Sequence, residues 1–262
     1  MGGPSLEYVF KNTTDHSESD RLRTIEAIFD PSTRRRILSG GLKQGDCCLE
    51  VGAGAGSVMR WLAEQVGPSG HVTAVDINTR FLDKPPVNVA IMEGDVRSVA
   101  FEPGSFDLIH ARYVLVHIPE YKGVLDSLWK ALKPGGALVI EEPDFSVYRG
   151  FSGADVQSFH NVHQAILHMY TAKGVDPALG AQLPTLFQSL GAKNLLIEND
   201  APISRGGSAI AEMMNLSAIQ LKDKYLATGK VTPLDLEAYG RFTQSPESRA
   251  IYYATIGAIG HK

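Results

Sequence analysis

Between residues 45 and 143 the chain repeats one rhythm: a short apolar run, an amphipathic stretch, then the next apolar run. The runs that read as strands fall at 47–52, 71–76, 87–92, 106–110 and 137–141. Between the first two lies SVMRWLAEQVG, where Val58, Trp61, Leu62, Gln65 and Val66 recur at helical spacing and make a largely apolar stripe. GVLDSLWKALKPGG does the same with Val124, Leu125, Leu128 and Leu132, and it stops at Pro134-Gly135-Gly136. Strands alternating with helices predict an α/β fold, a doubly wound and mostly parallel sheet with right-handed crossovers and helices on both faces.

Beyond Pro143 the rhythm changes. Helices are predicted over 154–172, 177–190, 208–227 and 233–243, a β element over 192–203, and a closing β run at AIYYATIGAIG. A doubly wound sheet does not need these extra helices, and they predict a helical cap over the carboxyl ends of the strands, where open α/β sheets bind ligands. Residues 8–42 also read as helical, through DRLRTIEAIF and PSTRRRILSGGL, and are expected to pack across the same opening. The expected organisation is a single domain over 1–262, with an N-terminal helical segment at 1–44, a ligand-binding core at 45–143 and the remaining core with cap insertions at 144–262.

Composition narrows the partners. With 44% hydrophobic and 21% charged residues the chain is an ordinary globular one. Its formal net charge of −4 gives no reason to expect nucleic acid or an anionic membrane surface. No apolar run reaches transmembrane or signal-peptide length. The only cysteines, Cys47 and Cys48, are adjacent, where a mutual disulfide is strained. These features predict a cytoplasmic protein acting on a small molecule, with a homo-oligomer compatible.

The chemistry starts at LEVGAGAGSV, residues 49–58, where Gly52, Gly54 and Gly56 stand between a strand and a helix. Glycines there let the backbone turn sharply and let a ligand approach without meeting a Cβ. A dinucleotide loop reads G-x-G-x-x-G, but Ser57 occupies the sixth position. Asp76 ends the second strand 20 residues beyond Gly56, where a carboxylate accepts from both hydroxyls of a ribose. That geometry serves NAD and other adenosine ligands alike.

Three later motifs extend the pattern: EGDVRS with Asp95, FDLIHARYVLVHIP after the fourth strand, and LKPGGALVIEE into the fifth. Taken in order, the acidic glycine loop, the acid after strand two, the G-D pair, the F-D-x-I strand and L-K-P-G-G resemble the class I S-adenosylmethionine-dependent methyltransferases. The resemblance implies a Rossmann-like methyltransferase fold of seven strands, with the last strand antiparallel. It further implies S-adenosyl-L-methionine as cofactor and S-adenosyl-L-homocysteine as product. Carried over by position, Glu50 faces the methionyl amino group, while Gly52, Ala53, Gly54 and Gly56 line the methionine and ribose. Asp76 holds the ribose hydroxyls with Ile77 on the adenine face, and Asp95 accepts from the adenine amino group beside Val96. His110, Ala111 and Arg112 are then expected near the sulfonium and carboxylate. Arg112 has a case of its own, because a guanidinium matches a carboxylate bidentately.

For the methyl acceptor, the base-methylating enzymes of this fold carry an Asn/Asp-Pro-Pro-aromatic run after strand four, and this chain has His110-Ala111-Arg112-Tyr113. No convincing metal-ligand set stands at the strand ends, so no metal is expected. A small organic acceptor remains, methylated by in-line displacement and compatible with a biosynthetic role. If a base is needed, SFHNVHQAILHMY offers His163 and His160 one turn apart on one helical face, with His163 the choice for the pocket. His117 reads as a structural residue beneath the cofactor, Met213 and Met214 as core, and Tyr8 as a pocket residue in a segment folding over the cofactor. Two alternatives stay open. One is a cyclase or isomerase of the same fold that keeps the cofactor as scaffold, and the other is an NAD-linked oxidoreductase, which Ser57 and LKPGG disfavour.

Overall fold

A computed structural model of the chain describes residues 15–262, with side chains from residue 18. The long helix α1 (Asp15–Ser39) leads into β1 (Cys47–Val51), α2 (Ser57–Val66), β2 (His71–Asp76), β3 (Val89–Glu93) and β4 (Phe106–Arg112). Then come α3 (Tyr121–Ala131), β5 (Leu132–Asp144), β6 (Arg149–Ser152), α4 (Val156–Ala172) and α5 (Leu179–Ser189). The chain closes through β7 (Lys193–Asp200), β8 (Ser204–Arg205), α6 (Ala209–Gln220), α7 (Lys222–Ala227), α8 (Pro233–Gln244), β9 (Arg249–Ile251) and β10 (Ala254–His261).

The main sheet has seven strands in the order β3-β2-β1-β4-β5-β10-β7, with β10 antiparallel to both neighbours and the pairings from β3 to β5 all parallel. This is the expected doubly wound sheet, and β10 is its antiparallel last strand. Side chains alternate across it with period two. Leu49, Val51, Ile109, Ala111, Leu138 and Ile140 enter the core on one face. Cys48, Leu108, Ala137 and Val139 face α2 and Ile37 of α1 on the other. Two covered faces explain why these strands read as continuous apolar runs rather than alternating ones.

Several boundaries differ from the sequence reading. The expected helix at 208–227 divides at Leu221 into α6 and α7. The fifth strand, expected over 137–141, runs from Leu132 to Asp144 and takes in Glu142, because β10 pairs with it as far as Asp144. The two N-terminal helical stretches form one helix that runs through Pro31, whose missing N–H costs a single bond. The closing run splits into β9 and β10, and β9 joins β6 and β8 in a small antiparallel sheet that periodicity did not reveal. The strands involved are too short to show a period.

Candidate active site

Strand order reverses direction between β1 and β4, and the loops leaving those two strands open a cavity of about 750 Å³ there. Its floor is the glycine loop. Gly52 has φ +73°, and a Cβ on it would lie 2.3 Å from Cγ2 of Val114, so the two loops approach as closely as they do only because residue 52 is glycine. The Gly54 amide donates to Oδ2 of Asp76 at 2.9 Å and the Asn78 amide donates to Oδ1 at 2.9 Å. These bonds fix the carboxylate on the cavity wall, where burial pushes its pKa up against the backbone donors.

Helix α1 closes the opening from above, as the sequence suggested, with Glu18, Arg21, Leu22, Ile25 and Glu26 on the cavity wall. The first amide of α2, at Ser57, donates to Oε1 of Glu26 at 3.0 Å, and the Ser57 hydroxyl donates to Oδ1 of Asp30 at 3.1 Å. A dinucleotide fold offers that helix N-terminus to a pyrophosphate; here carboxylates of α1 occupy it.

Of the residues assigned to a cofactor by resemblance, Glu50, Gly52, Ala53, Gly54, Asp76, Ile77, Asp95, Val96 and Arg112 line the cavity. Three others do not. Gly56 is the left-handed N-cap of α2 (φ +89°) and shapes the loop from behind. His110 and Ala111, expected beside the sulfonium, are both completely buried in β4, because the strand runs on to Arg112 before it opens. Two that do line it are already engaged: Arg112 donates to Asp30 at 3.1 Å and Thr33 at 2.8 Å, and Asp95 is clasped by the Arg97 guanidinium, which holds its carboxyl below the usual range. Tyr8 lies outside the described residues.

The expected base is also displaced. His163 is completely buried, its Nδ1 2.9 Å from the Phe159 carbonyl and its ring packed against Tyr148, Phe159, Tyr239 and Tyr252. Burial lowers its pKa to about 4, so it is a neutral core residue of the cap. His160, half-buried on the same helix, meets Tyr148 and Phe159. Neither lines the cavity. Helical periodicity puts both on one face correctly; it does not say which layer covers that face.

A second half of the cavity lining is built from elements distant in sequence. Tyr113 follows β4, Phe145 follows β5, Tyr170 comes from α4, Met213 and Met214 from α6, Tyr225 from α7 and Tyr253 from the link before β10. Phe145 stacks on Tyr170 at 5.3 Å between ring centroids and meets Tyr253 at 5.2 Å, while Tyr253 meets Tyr113 edge-on at 6.2 Å. Tyr113 is a non-glycine residue at φ +56°, and its hydroxyl shares a hydrogen bond with Thr255. His117 also lines this half and packs near Tyr170; burial lowers its pKa to about 3, so the ring is neutral. The methionines read as core serve as both core and wall, being 4% and 5% exposed. Only the run of aromatics flanking strand ends in the sequence hinted at this lining.

The geometry has known counterparts. A family described as a methyltransferase domain matches residues 23–181. The chain is similar to methyltransferase str3 of Strobilurus tenacellus, 32% identical over 194 residues that cover 73% of this chain and 69% of that one. It is also similar to a demethylmenaquinone methyltransferase of Staphylococcus aureus, 31% identical over 142 residues, covering 51% of this chain and 58% of that relative. Among solved structures, Haemonchus contortus phosphoethanolamine N-methyltransferase 2 in complex with phosphomonomethylethanolamine and S-adenosylhomocysteine shares the fold at TM-score 0.64 and 18% identity, over 99% of this chain and 60% of that one. The [4+2]-cyclase SpnF shares it at TM-score 0.53 and 19% identity, over 89% of this chain and 80% of that one.

Proposed function

This chain belongs to the class I S-adenosylmethionine-dependent methyltransferases, and we propose that it methylates a small, uncharged aromatic acceptor. The residues fit the cofactor: the glycine loop leaves the floor without side chains, Asp76 on the wall would hold the ribose diol, and Glu50 would meet the amino acid end. When bound, S-adenosylmethionine supplies an electrophilic methyl group on a sulfonium.

The acceptor class rests on one observation, the linked rings of Tyr113, Tyr253, Phe145 and Tyr170 lining one cavity with Met213 and Met214. Aromatic rings and thioethers bind flat apolar molecules by contact area and edge-to-face packing. Among the described residues lining the cavity, Arg21 donates to both oxygens of Glu18 at 3.0 and 2.7 Å, Arg112 pairs with Asp30, Arg97 with Asp95, and Arg80 lies over the Phe81 ring. With His117 neutral as well, the described wall of Tyr113, Phe145, Tyr170 and Tyr253 favours an uncharged ring over a phosphate or carboxylate. These walls orient the acceptor against the cofactor site and exclude water, and held alignment of this kind is worth about 7 to 11 kcal/mol in favourable cases.

The test is release of S-adenosylhomocysteine from S-adenosylmethionine in the presence of phenols and quinols, set against phosphoethanolamine and sarcosine. Turnover of aromatic acceptors is expected. Turnover confined to the phosphorylated or zwitterionic amines overturns the acceptor class, and conversion of an acceptor without consumption of cofactor moves the chain to the cyclase reading.

A further inference from the structure

His110 belongs to a row of polar side chains that crosses the sheet just beneath the cofactor site. Glu50 pairs in register with His110, Glu141 with Gly257, and Gly257 with Glu198. His110 Nδ1 lies 2.8 Å from Oε2 of Glu50 and Nε2 lies 3.2 Å from Oε1 of Glu141. Arg36 of α1 donates to the other Glu141 oxygen at 2.6 Å and reaches on to Glu198 and Asp200. Gly257 makes room for that arginine, since a Cβ there would lie 2.3 Å from Nε of Arg36. Arg36, His110 and Glu141 are completely buried, and Glu50, 3% exposed, is the one member that reaches the cavity.

An imidazole with a carboxylate oxygen at each nitrogen needs both N–H groups, and so carries a positive charge. The buried charges then cancel, Glu50 and Glu141 against His110 and Arg36. Burial pulls the imidazole pKa down, but the charge of Glu50 and the hydrogen bonds to Glu141 and Glu50 outweigh it and raise it to about 9. Burial likewise raises Glu141, yet His110 and Arg36 hold it at about 2. Glu50 is the soft member: burial raises its pKa, and His110 and then Arg112 oppose the rise. The charged groups facing the imidazole are thus Glu50 on β1 and Glu141 on β5, with Arg36 of α1 behind Glu141 and Arg112 of β4 acting on both carboxylates.

We propose that His110 is a positioning residue for the cofactor: gripped by Glu141 on one side, it holds the Glu50 carboxylate ionised and turned into the cavity to meet the cofactor's ammonium group. The inference rests on the proposed placement of the cofactor's amino acid end at Glu50. Removing His110 leaves a buried carboxylate with no hydrogen-bonded cation, Arg112 acting on it through charge alone, and such a group tends to take up a proton instead of staying charged.

The test measures binding of S-adenosylhomocysteine by calorimetry from pH 6 to 8 for the unaltered chain, Glu50→Gln, His110→Asn and the double variant. Glu50→Gln is expected to weaken binding by about tenfold or more at every pH. His110→Asn is expected to weaken it about as much at pH 6 and to recover toward pH 8, where Glu50 ionises, a slope the unaltered chain lacks. The double variant is expected to bind no more weakly than Glu50→Gln. Unaltered affinity and slope in His110→Asn, or losses that multiply in the double variant, overturn the role of His110 alone. Unaltered binding in Glu50→Gln overturns the placement of the amino acid end, and this inference with it. A measurement free of folding effects is ring-15N NMR of the unaltered chain: one imidazole is expected to stay doubly protonated at pH 8 and to shift when S-adenosylhomocysteine is added. A spectrum with no such imidazole overturns the proposal.

Discussion

The two halves of the cavity are built by different means. The cofactor half uses backbone and short-range geometry: a left-handed glycine loop, an aspartate held by amides at Gly54 and Asn78, and residues at the ends of neighbouring parallel strands. The other half, proposed to hold the acceptor, uses side chains from α4, α6, α7 and three separate strand ends, brought together only by packing. The first half is prepared for one ligand whose shape never changes. The second is a wall of replaceable side chains, which a fold can vary without disturbing the first.

That contrast can be broken most sharply at Asp76. Asp76→Ala removes the proposed ribose contact and the acceptor of two loop amides, and is expected to weaken S-adenosylhomocysteine binding by roughly 3 kcal/mol in calorimetry. Unchanged affinity would mean that the loop, not the carboxylate, holds the ribose.

The regions behind the two halves, the cap core and the polar row across the sheet, should respond oppositely to pH. His163 in the cap has a folded pKa of about 4, below its unfolded value, so the unfolded chain takes up the proton first as pH falls. Stability from this group is complete above about pH 6.5 and is lost down to about pH 4, amounting to about 2 kcal/mol between pH 7 and 5. His110, with a folded pKa of about 9, contributes stability that is complete below about pH 6.5 and lost as pH rises through 9. Urea unfolding of His163→Phe should therefore show a shallower acid limb and an unaltered alkaline one. An unchanged acid limb would refute the assignment.

A smaller effect tests the wall. Met214→Ala is expected to raise KM for an aromatic acceptor about tenfold through lost contact area, with S-adenosylhomocysteine affinity unaltered. A parallel loss of both would show that the two halves do not act separately. Smallest of all, His160→Ala is expected to leave kcat and stability within about 0.5 kcal/mol of the unaltered chain, as for a partly exposed residue outside the site. A large fall in kcat would restore the histidine pair of α4 to the chemistry.

Legibility in the sequence followed the same division. That Glu50, Gly52, Gly54 and Asp76 gather at one cavity was readable because it depends on neighbours within a few residues or on the end of a strand whose period is visible. His163 was misread as a pocket base because periodicity reports a face and not its covering: Tyr148, Tyr239 and Tyr252 come from elsewhere in the chain. Arg36 gave no sign of its partners, since Glu141 and Glu198 lie 105 and 162 residues away.

By itself the sequence determined the alternation of strands and helices, the parallel core with an antiparallel last strand, and the ligand class, because hydrophobic period, turn residues and a glycine loop act locally. Only the tertiary structure decided that α1 lines the cavity, that His110 is buried behind Glu50 instead of lining it, and that aromatic rings from scattered segments share one wall. Those outcomes depend on which elements pack together and on what burial does to charge, and neither is written in any short stretch of chain.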